Sequence, residues 1–286
     1  GGLVILKENG EYEIFDQNSE KKLDINYINK IFKDSKNQMW LATDYGLVKF
    51  DKKTGVVGKY NYKKDDIKTQ PPGYVSCIVE DDKQILWVST YDSGIYTVDI
   101  NSGEYIPKTK QFHKVKSIVF DPRNKDYLWI GTNGSGLILY NIKSKMTESF
   151  SIPEGLPDNC VYGVLFDEAN SMWLSTNRGL VKFAYNGKDD FEIENFSLND
   201  GLQSLEFNTN AYYKDNNGVM YFGGLAGANW FKPEYITKNP NLPKTVLSEI
   251  VVLDKQIDTS KASTFKNDQN TIAFSFQSLN FSKPGG

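Results

Sequence analysis

MWLATDYGLVKF, Met39–Phe50, returns later in the chain as MWLSTNRGLVKF, Met172–Phe183, with nine of twelve positions identical. The three that differ lie in or beside the middle. A phrase with a fixed frame and a variable centre is either a building unit or a duplicated site, and its period decides which.

The core of the phrase occurs more than twice. It is present as LWVSTYDSGIYTVD around Trp87, as LWIGTNGSGLILYN around Trp129, and in weaker form as MYFGGLAGANWFKP around Tyr221. The anchors Trp40, Trp87, Trp129, Trp173 and Tyr221 are separated by 47, 42, 44 and 48 residues. Each unit begins with a β-branched stretch such as YVSCIVE (Tyr74–Glu80) or CVYGVLF (Cys160–Phe166). An Asp-led polar cluster follows, with Asp34, Asp81, Asp167 and Asp215 each six residues before an anchor; this reads as strand, tight turn, strand. The Trp strand is apolar on consecutive positions, as in a strand covered on both faces. A small polar loop ending in Gly46, Gly94, Gly136 or Gly179 then opens a third strand, and a turn leads to a shorter, more polar fourth.

Four antiparallel strands in about 40 to 45 residues make a β-propeller blade, so the fold class expected is all-β. A lone sheet of this length cannot cover both faces, so each blade stacks on its neighbours with the Trp as filler. One such ring buries roughly 150–250 Å², on the order of 4–6 kcal/mol at ~25 cal/mol per Å². Packing alone therefore accounts for the Trp anchors, and no stretch shows sustained helical periodicity.

The two ends of the repeat do not match. Gly2-Leu3-Val4-Ile5 aligns with a third strand and NGEYEIF (Asn9–Phe15) with the turn and fourth strand, whereas the Tyr221 unit supplies three strands. The expected architecture is an arc of about five blades plus a half blade over residues 1–238, with missing neighbours before residue 1. Residues 239–286 read as a Pro-punctuated linker, NPNLPK (Asn239–Lys244), and the first strands of a truncated β-sandwich, TVLSEIVVLDKQI and NTIAFSFQSLNF, separated by a polar stretch from Asp258 to Asn270.

Composition narrows the function. The 286 residues are 39% hydrophobic and 14% aromatic, enough for a large core. A net charge of -3 with both signs interspersed offers no basic face, so nucleic acid is not an expected partner. Only Arg123 and Arg178 carry guanidinium and His113 is the one histidine. Sites built on several Arg forks, His clusters or paired imidazoles are excluded, and no catalytic residue, metal or cofactor is expected. The Asp-led turns lack the carboxylate spacing of a calcium loop. Cys77 and Cys160 have no metal-ligand spacing and read as buried small hydrophobes. No run of about 18 apolar residues or signal-peptide pattern is present.

Laid out this way, the repeat resembles the two-component regulator propeller. IVEDDKQILWVST, DPRNKDYLWIGTNGSGLILYN and FDEANSMWLSTNRGLVKF carry the resemblance over roughly residues 1 to 236, and DGLQSLEFNTNAYYKDNNGVMYFGGLAGANWFKP resembles that family's terminal blade. VLSEIVVLDKQI and IAFSFQSLNFSKP are similar to the start of the immunoglobulin-like triple-tyrosine domain that follows such propellers, without its tyrosine-rich part. Propeller then sandwich resembles the periplasmic sensor region of hybrid two-component histidine kinases of Bacteroidetes. The resemblance implies a non-catalytic, extracytoplasmic sensing module with an oligosaccharide ligand, in a membrane-anchored, homodimeric parent carrying a kinase and a DNA-binding regulator. Two other classes remain open: a propeller enzyme such as a lyase or lactonase, and a protein-interaction scaffold.

The variable centre supplies the candidate site. In an antiparallel blade the loop between strands two and three lies at the end where strand one begins, so Asp44, Tyr45, Tyr91, Asp92, Asn133, Asn177 and Arg178 ring one face. Aromatic platforms and planar hydrogen-bonding groups suit a sugar, and Arg178 suits an anionic glycan. His113 begins a first strand, with a position toward the central channel.

Overall fold

The computed structural model describes residues 2–19, 23, 25, 27–60, 74–236, 244–252, 255–257 and 271–279. These form two compact units, Gly1–Pro233 and Glu234–Gly286. The expected boundary at residue 238, most of the linker Asn239–Lys244 and the stretch Asp258–Asn270 lie outside the described residues.

The first unit is a succession of antiparallel sheets. The first blade has two strands, β1 (Leu3–Leu6) and β2 (Tyr12–Phe15). The second holds β3 (Ile28–Lys33), β4 (Met39–Thr43), β5 (Gly46–Asp51) and β6 (Gly55–Tyr60). The third holds β7 (Val75–Glu80), β8 (Leu86–Thr90), β9 (Ile95–Val98) and β10 (Tyr105–Thr109). The fourth holds β11 (Val115–Phe120), β12 (Tyr127–Thr132), β13 (Leu137–Asn141) and β14 (Thr147–Phe150). The fifth holds β15 (Val161–Phe166), β16 (Met172–Thr176), β17 (Gly179–Gly187) and β18 (Asp190–Phe196), and the sixth has three strands, β19 (Phe207–Lys214), β20 (Met220–Gly224) and β21 (Gly227–Phe231). Strand order within each four-stranded sheet follows the sequence, as in a propeller blade.

The core lies between blades. Each cluster of buried side chains joins two consecutive sheets: Trp40 and Leu47 meet Val75 and Ile78, Trp87 meets Val115 and Phe120, and Trp129 meets Val161 and Phe183. Burial of consecutive residues in the second strand, complete in LWVST and MWLST, follows from being covered on both faces.

The Asp-led turns do more than reverse the chain. One oxygen of Asp34 accepts from the backbone N–H groups of Lys36 and Gln38, while the other accepts the Trp40 indole N–H at 2.8 Å. Asp81 with Trp87 (2.9 Å) and Asp167 with Trp173 (3.1 Å) repeat the arrangement. Asp121 does the same for Trp129 at 3.0 Å from a spacing of eight, because DPRNKDY lengthens the turn. Tyr221 has no indole N–H, and Asp215 only closes its turn, through Asn217 and Val219. Each buried indole thereby has the partner that burial demands.

Turns also fasten neighbouring blades. Ser35 gives its N–H and hydroxyl to Glu80, Arg123 reaches the Tyr185 carbonyl at 2.6 Å, and Lys214 bonds both the Phe166 carbonyl and Glu168. Arg123, half of the chain's guanidinium complement, is thus a fastener between the fourth and fifth blades.

In the second unit β22 (Lys244–Val252) lies between β23 (Lys255–Ile257) and β24 (Ile272–Leu279), all antiparallel, with a bulge between Leu247 and Glu249.

Candidate functional site: one mouth of the propeller

From the third blade to the sixth, the loop after the second strand is tied by backbone hydrogen bonds to the start of a first strand. Tyr91 N–H donates to the Tyr74 carbonyl, the Tyr91 carbonyl accepts from Lys114, and Asn133 N–H donates to the Lys114 carbonyl. Asn133 also bridges Cys160, and Gly179 N–H donates to the Leu205 carbonyl. The bonds of Lys114 to Tyr91, of Asn133 to Cys160 and of Gly179 to Leu205 cross from blade to blade, the others stay within one, and together they hold these loops beside the first-strand starts.

At this mouth each first strand carries a β-bulge. Ile28 pairs Thr43 and Lys30 pairs Ala42, leaving Asn29 without a partner; Ser76, Lys116 and Tyr162 are skipped in the same way. In β19 the shift spans residues 208–211, and Asn210 takes φ 58°. A bulge inserts one residue and re-aims its side chain. The same step in four blades thus presents Asn, Ser, Lys and Tyr from otherwise apolar strands.

Three of these residues organise the predicted ones. Asn29 donates through its side-chain amide to Asp44 (2.9 Å) and to the Val75 carbonyl of the next blade (3.0 Å). Tyr162 donates its hydroxyl to the Asn177 side-chain oxygen at 2.7 Å, and the Asn177 amide faces Asp158 at 3.4 Å. Lys116 holds its ammonium 5.7 Å from the Tyr91 ring centre and 6.0 Å from that of Tyr162. Tyr74 meets Tyr91 edge-on at 5.6 Å. Burial, then the nearby Asp44 charge, pushes the Tyr74 phenol up; burial and a hydrogen bond with Cys160 push Tyr162 up further. Both stay neutral donors at physiological pH.

Tyr91 and Asn177 are therefore brought together through Lys116 and Tyr162, and Asp44 stands beside Tyr74. Tyr45 (63% exposed), Asp92, Asn133 and Arg178 stand at the exposed loop tips. His113 is exposed as well, and its Nδ1 donates to the Asp92 carbonyl at 2.9 Å. Tyr74, Lys116 and Tyr162 are the residues that loop variability did not single out. The signal for Lys116 and Tyr162 is the changing residue after the first apolar position in YINKIF, YVSCIV, KVKSIV and CVYGVL.

Cys77 and Cys160 are buried free thiols. Cys77 Sγ donates to the Lys116 carbonyl at 3.0 Å, and burial pushes both thiols up. Because the thiolate is the reactive form, a water-soluble maleimide is expected to leave the folded chain unlabelled and to modify both thiols in denaturant. Rapid labelling without denaturant contradicts this placement. Among the described residues no group of three or more His, Cys, Asp or Glu is placed to hold a metal ion.

A cavity of about 510 Å³ lies between β1, β3 and β19, lined by Lys30, Asn210, Tyr212 and Tyr213 among others. Lys30 sits 3.9 Å from the Tyr212 ring centre, with its pKa pulled down by burial.

Comparison with known proteins fits this geometry. Residues 69–92 match the family described as two component regulator propeller. That stretch includes Tyr74, the bulge at Ser76 and the loop of Tyr91 and Asp92. Histidine kinase P4 of Formosa agariphila is 29% identical over 240 residues, covering 79% of this chain and 17% of that protein. Among solved structures, the extracellular domain of a B. thetaiotaomicron protein assigned to the hybrid two component systems has a TM-score of 0.57 at 19% identity, over 96% of this chain and 45% of that one. A gluconolactonase of Xanthomonas campestris reaches 0.56 at 12% identity, over 80% and 77% respectively. At these identities the property shared with the solved structures is the fold.

Proposed function

We propose that this chain is the extracytoplasmic ligand-sensing module of a hybrid two-component sensor histidine kinase, and that it binds an oligosaccharide at the mouth of Tyr74, Tyr91, Lys116, Tyr162 and Asn177. The observation that carries this reading is the grouping of three tyrosine rings, one ammonium and a hydrogen-bonded amide on pinned first-strand starts and loops. Sugar rings stack on aromatic faces, and fixed polar groups read their hydroxyls. The likeness to a histidine kinase and to the extracellular domain of a hybrid system supports the sensor class. Binding signals only if the ligand favours one of two arrangements of the parent, here passed through the second unit to a membrane helix and a dimeric kinase.

Calorimetric titration of the chain with neutral and acidic oligosaccharides, followed by chromatography of the ligand, tests this reading. Saturable binding with the ligand recovered intact is expected. Tyr91→Ala and Asn177→Ala are each expected to weaken binding about tenfold or more, and Tyr45→Ala less than about twofold. Turnover of a ligand points instead to a propeller lyase or lactonase, and equal effects at all three positions remove the site.

A further inference from the structure

We infer that Lys116 is the specificity-determining residue of this site, and that it selects oligosaccharides carrying an acidic substituent, a carboxylate or a sulfate ester. The inference rests on the sensor reading and adds the class of ligand.

Lys116 is the bulge residue of β11, displaced from its ladder while Val115 and Ser117 remain paired. Its backbone is held on both sides: Lys114 N–H donates to the Tyr91 carbonyl, and the Lys116 carbonyl accepts from Cys77 Sγ. The half-buried side chain passes between the third and fifth blades, with its ammonium flanked by the Tyr91 and Tyr162 rings. Some other cations have anionic partners, Arg123 with Asp121, Lys143 with Asp126 and Lys214 with Glu168, whereas Lys30, Lys49 and Lys182, like Lys116, lie over aromatic rings. Lys116 forms no ion pair with any carboxylate among the described residues. Of the acids near this mouth, Asp158 is engaged by the Cys160 N–H and Asn177 and Asp44 by Asn29, while Glu206, whose charge reaches Cys160 and Tyr162, is exposed to solvent. Two tyrosine faces stabilise a cation but leave its hydrogen-bond donors unused. An acidic group on a sugar stacked against those rings takes these donors and the charge together, at a partly desolvated site where such a contact is stronger than in water. Arg178 and Lys114, further cations of this face, are exposed, where solvent screens them.

The test uses matched ligands: trigalacturonate, its methyl ester with the same skeleton and no charge, and a sulfated galactose disaccharide. Wild type is expected to bind the acid about tenfold or more tighter than the ester. Lys116→Met should bind acid and ester alike, Lys116→Arg should keep the preference, and Arg178→Gln should change it less than about twofold. A sulfated disaccharide whose binding is lost in Lys116→Met identifies the sulfate ester as the acidic group and supports the inference equally. Equal affinity of wild type for acid and ester overturns it while leaving the sensor reading intact, as does a Lys116→Met variant that still prefers acids. Absence of binding to every ligand, by protein whose melting curve matches wild type, overturns both.

Discussion

Trp129→Ala is expected to lower the stability of the first unit by about 3–5 kcal/mol, a drop in melting temperature on the order of 10 °C. Trp129 is fully buried and packs edge-on against Phe183 and Tyr185 at 5.8 and 5.1 Å, with Phe150 tilted beside it at 6.0 Å. These four rings come two from each of two blades that touch through this cluster, so truncation opens a void that neither sheet can close alone. Asp121→Ala attacks the same point through its hydrogen bonds. It leaves the Trp129 indole N–H without an acceptor and frees Arg123, which otherwise holds the Tyr185 carbonyl of the fifth blade. Its expected cost is roughly 1–3 kcal/mol.

The same carboxylate gives a pH signature. Burial raises the Asp121 carboxyl, but hydrogen bonds from Arg123 and Trp129 outweigh it and hold the pKa below the usual range. A folded-state pKa below the unfolded one contributes stability that is complete above the ordinary value and is lost as pH falls below about 4. The stability gap between wild type and Asp121→Asn, read by urea unfolding, should therefore be widest near neutrality and shrink in acid. A gap that does not change with pH, or a Trp129→Ala cost under about 1 kcal/mol, removes the inter-blade tie as a stabilising device.

Why the repeat is legible and the site only partly so follows from what each depends on. The period, the Trp strand and the Asp turn are local: a covered strand needs consecutive apolar residues, and a tight turn needs Asp at its start. The spacing of six between Asp34 and Trp40 shows the turn, yet the bond from indole to carboxylate appears only when the side chains are placed. A fixed spacing also passes over Asp121, whose longer turn brings it to Trp129 from eight residues away. The bulges are a property of pairing. Lys116 within KVKSIVF looks like an ordinary alternating residue, and only its skipped place opposite Gly131 and Thr132 sends it toward Tyr91. Loop variability picks out residues that share one end of the blades, but it weights the exposed tips, Tyr45 and Arg178, as heavily as Asn177, which Tyr162 anchors.

Gly136→Ala is the second large effect, and Gly134→Ala in the same loop is its control. Both glycines have positive φ, 111° at Gly134 and 70° at Gly136. An added Cβ at Gly134 meets nothing within 4 Å, whereas at Gly136 it falls 2.1 Å from the Phe150 carbonyl oxygen, a backbone atom that no rotamer can move. Gly94 and Gly179, which open the third strands of the third and fifth blades, face the Thr109 and Phe196 oxygens at 2.0 Å. In the third, fourth and fifth blades the glycine before the third strand is therefore required by close approach to the end of the fourth strand as well as by its dihedral angle. Strain alone costs about 1–3 kcal/mol at either position, and φ 70° lies nearer the left-handed well that an alanine tolerates. If dihedral strain were the only term, Gly134→Ala would be the worse variant. The close approach reverses the order: Gly136→Ala is expected to cost about 3 kcal/mol or more, and Gly134→Ala less, in the same urea titration. The opposite order would mean that the fourth strand yields to a methyl group, and that the loop presenting Asn133 is less firmly seated than this close approach implies.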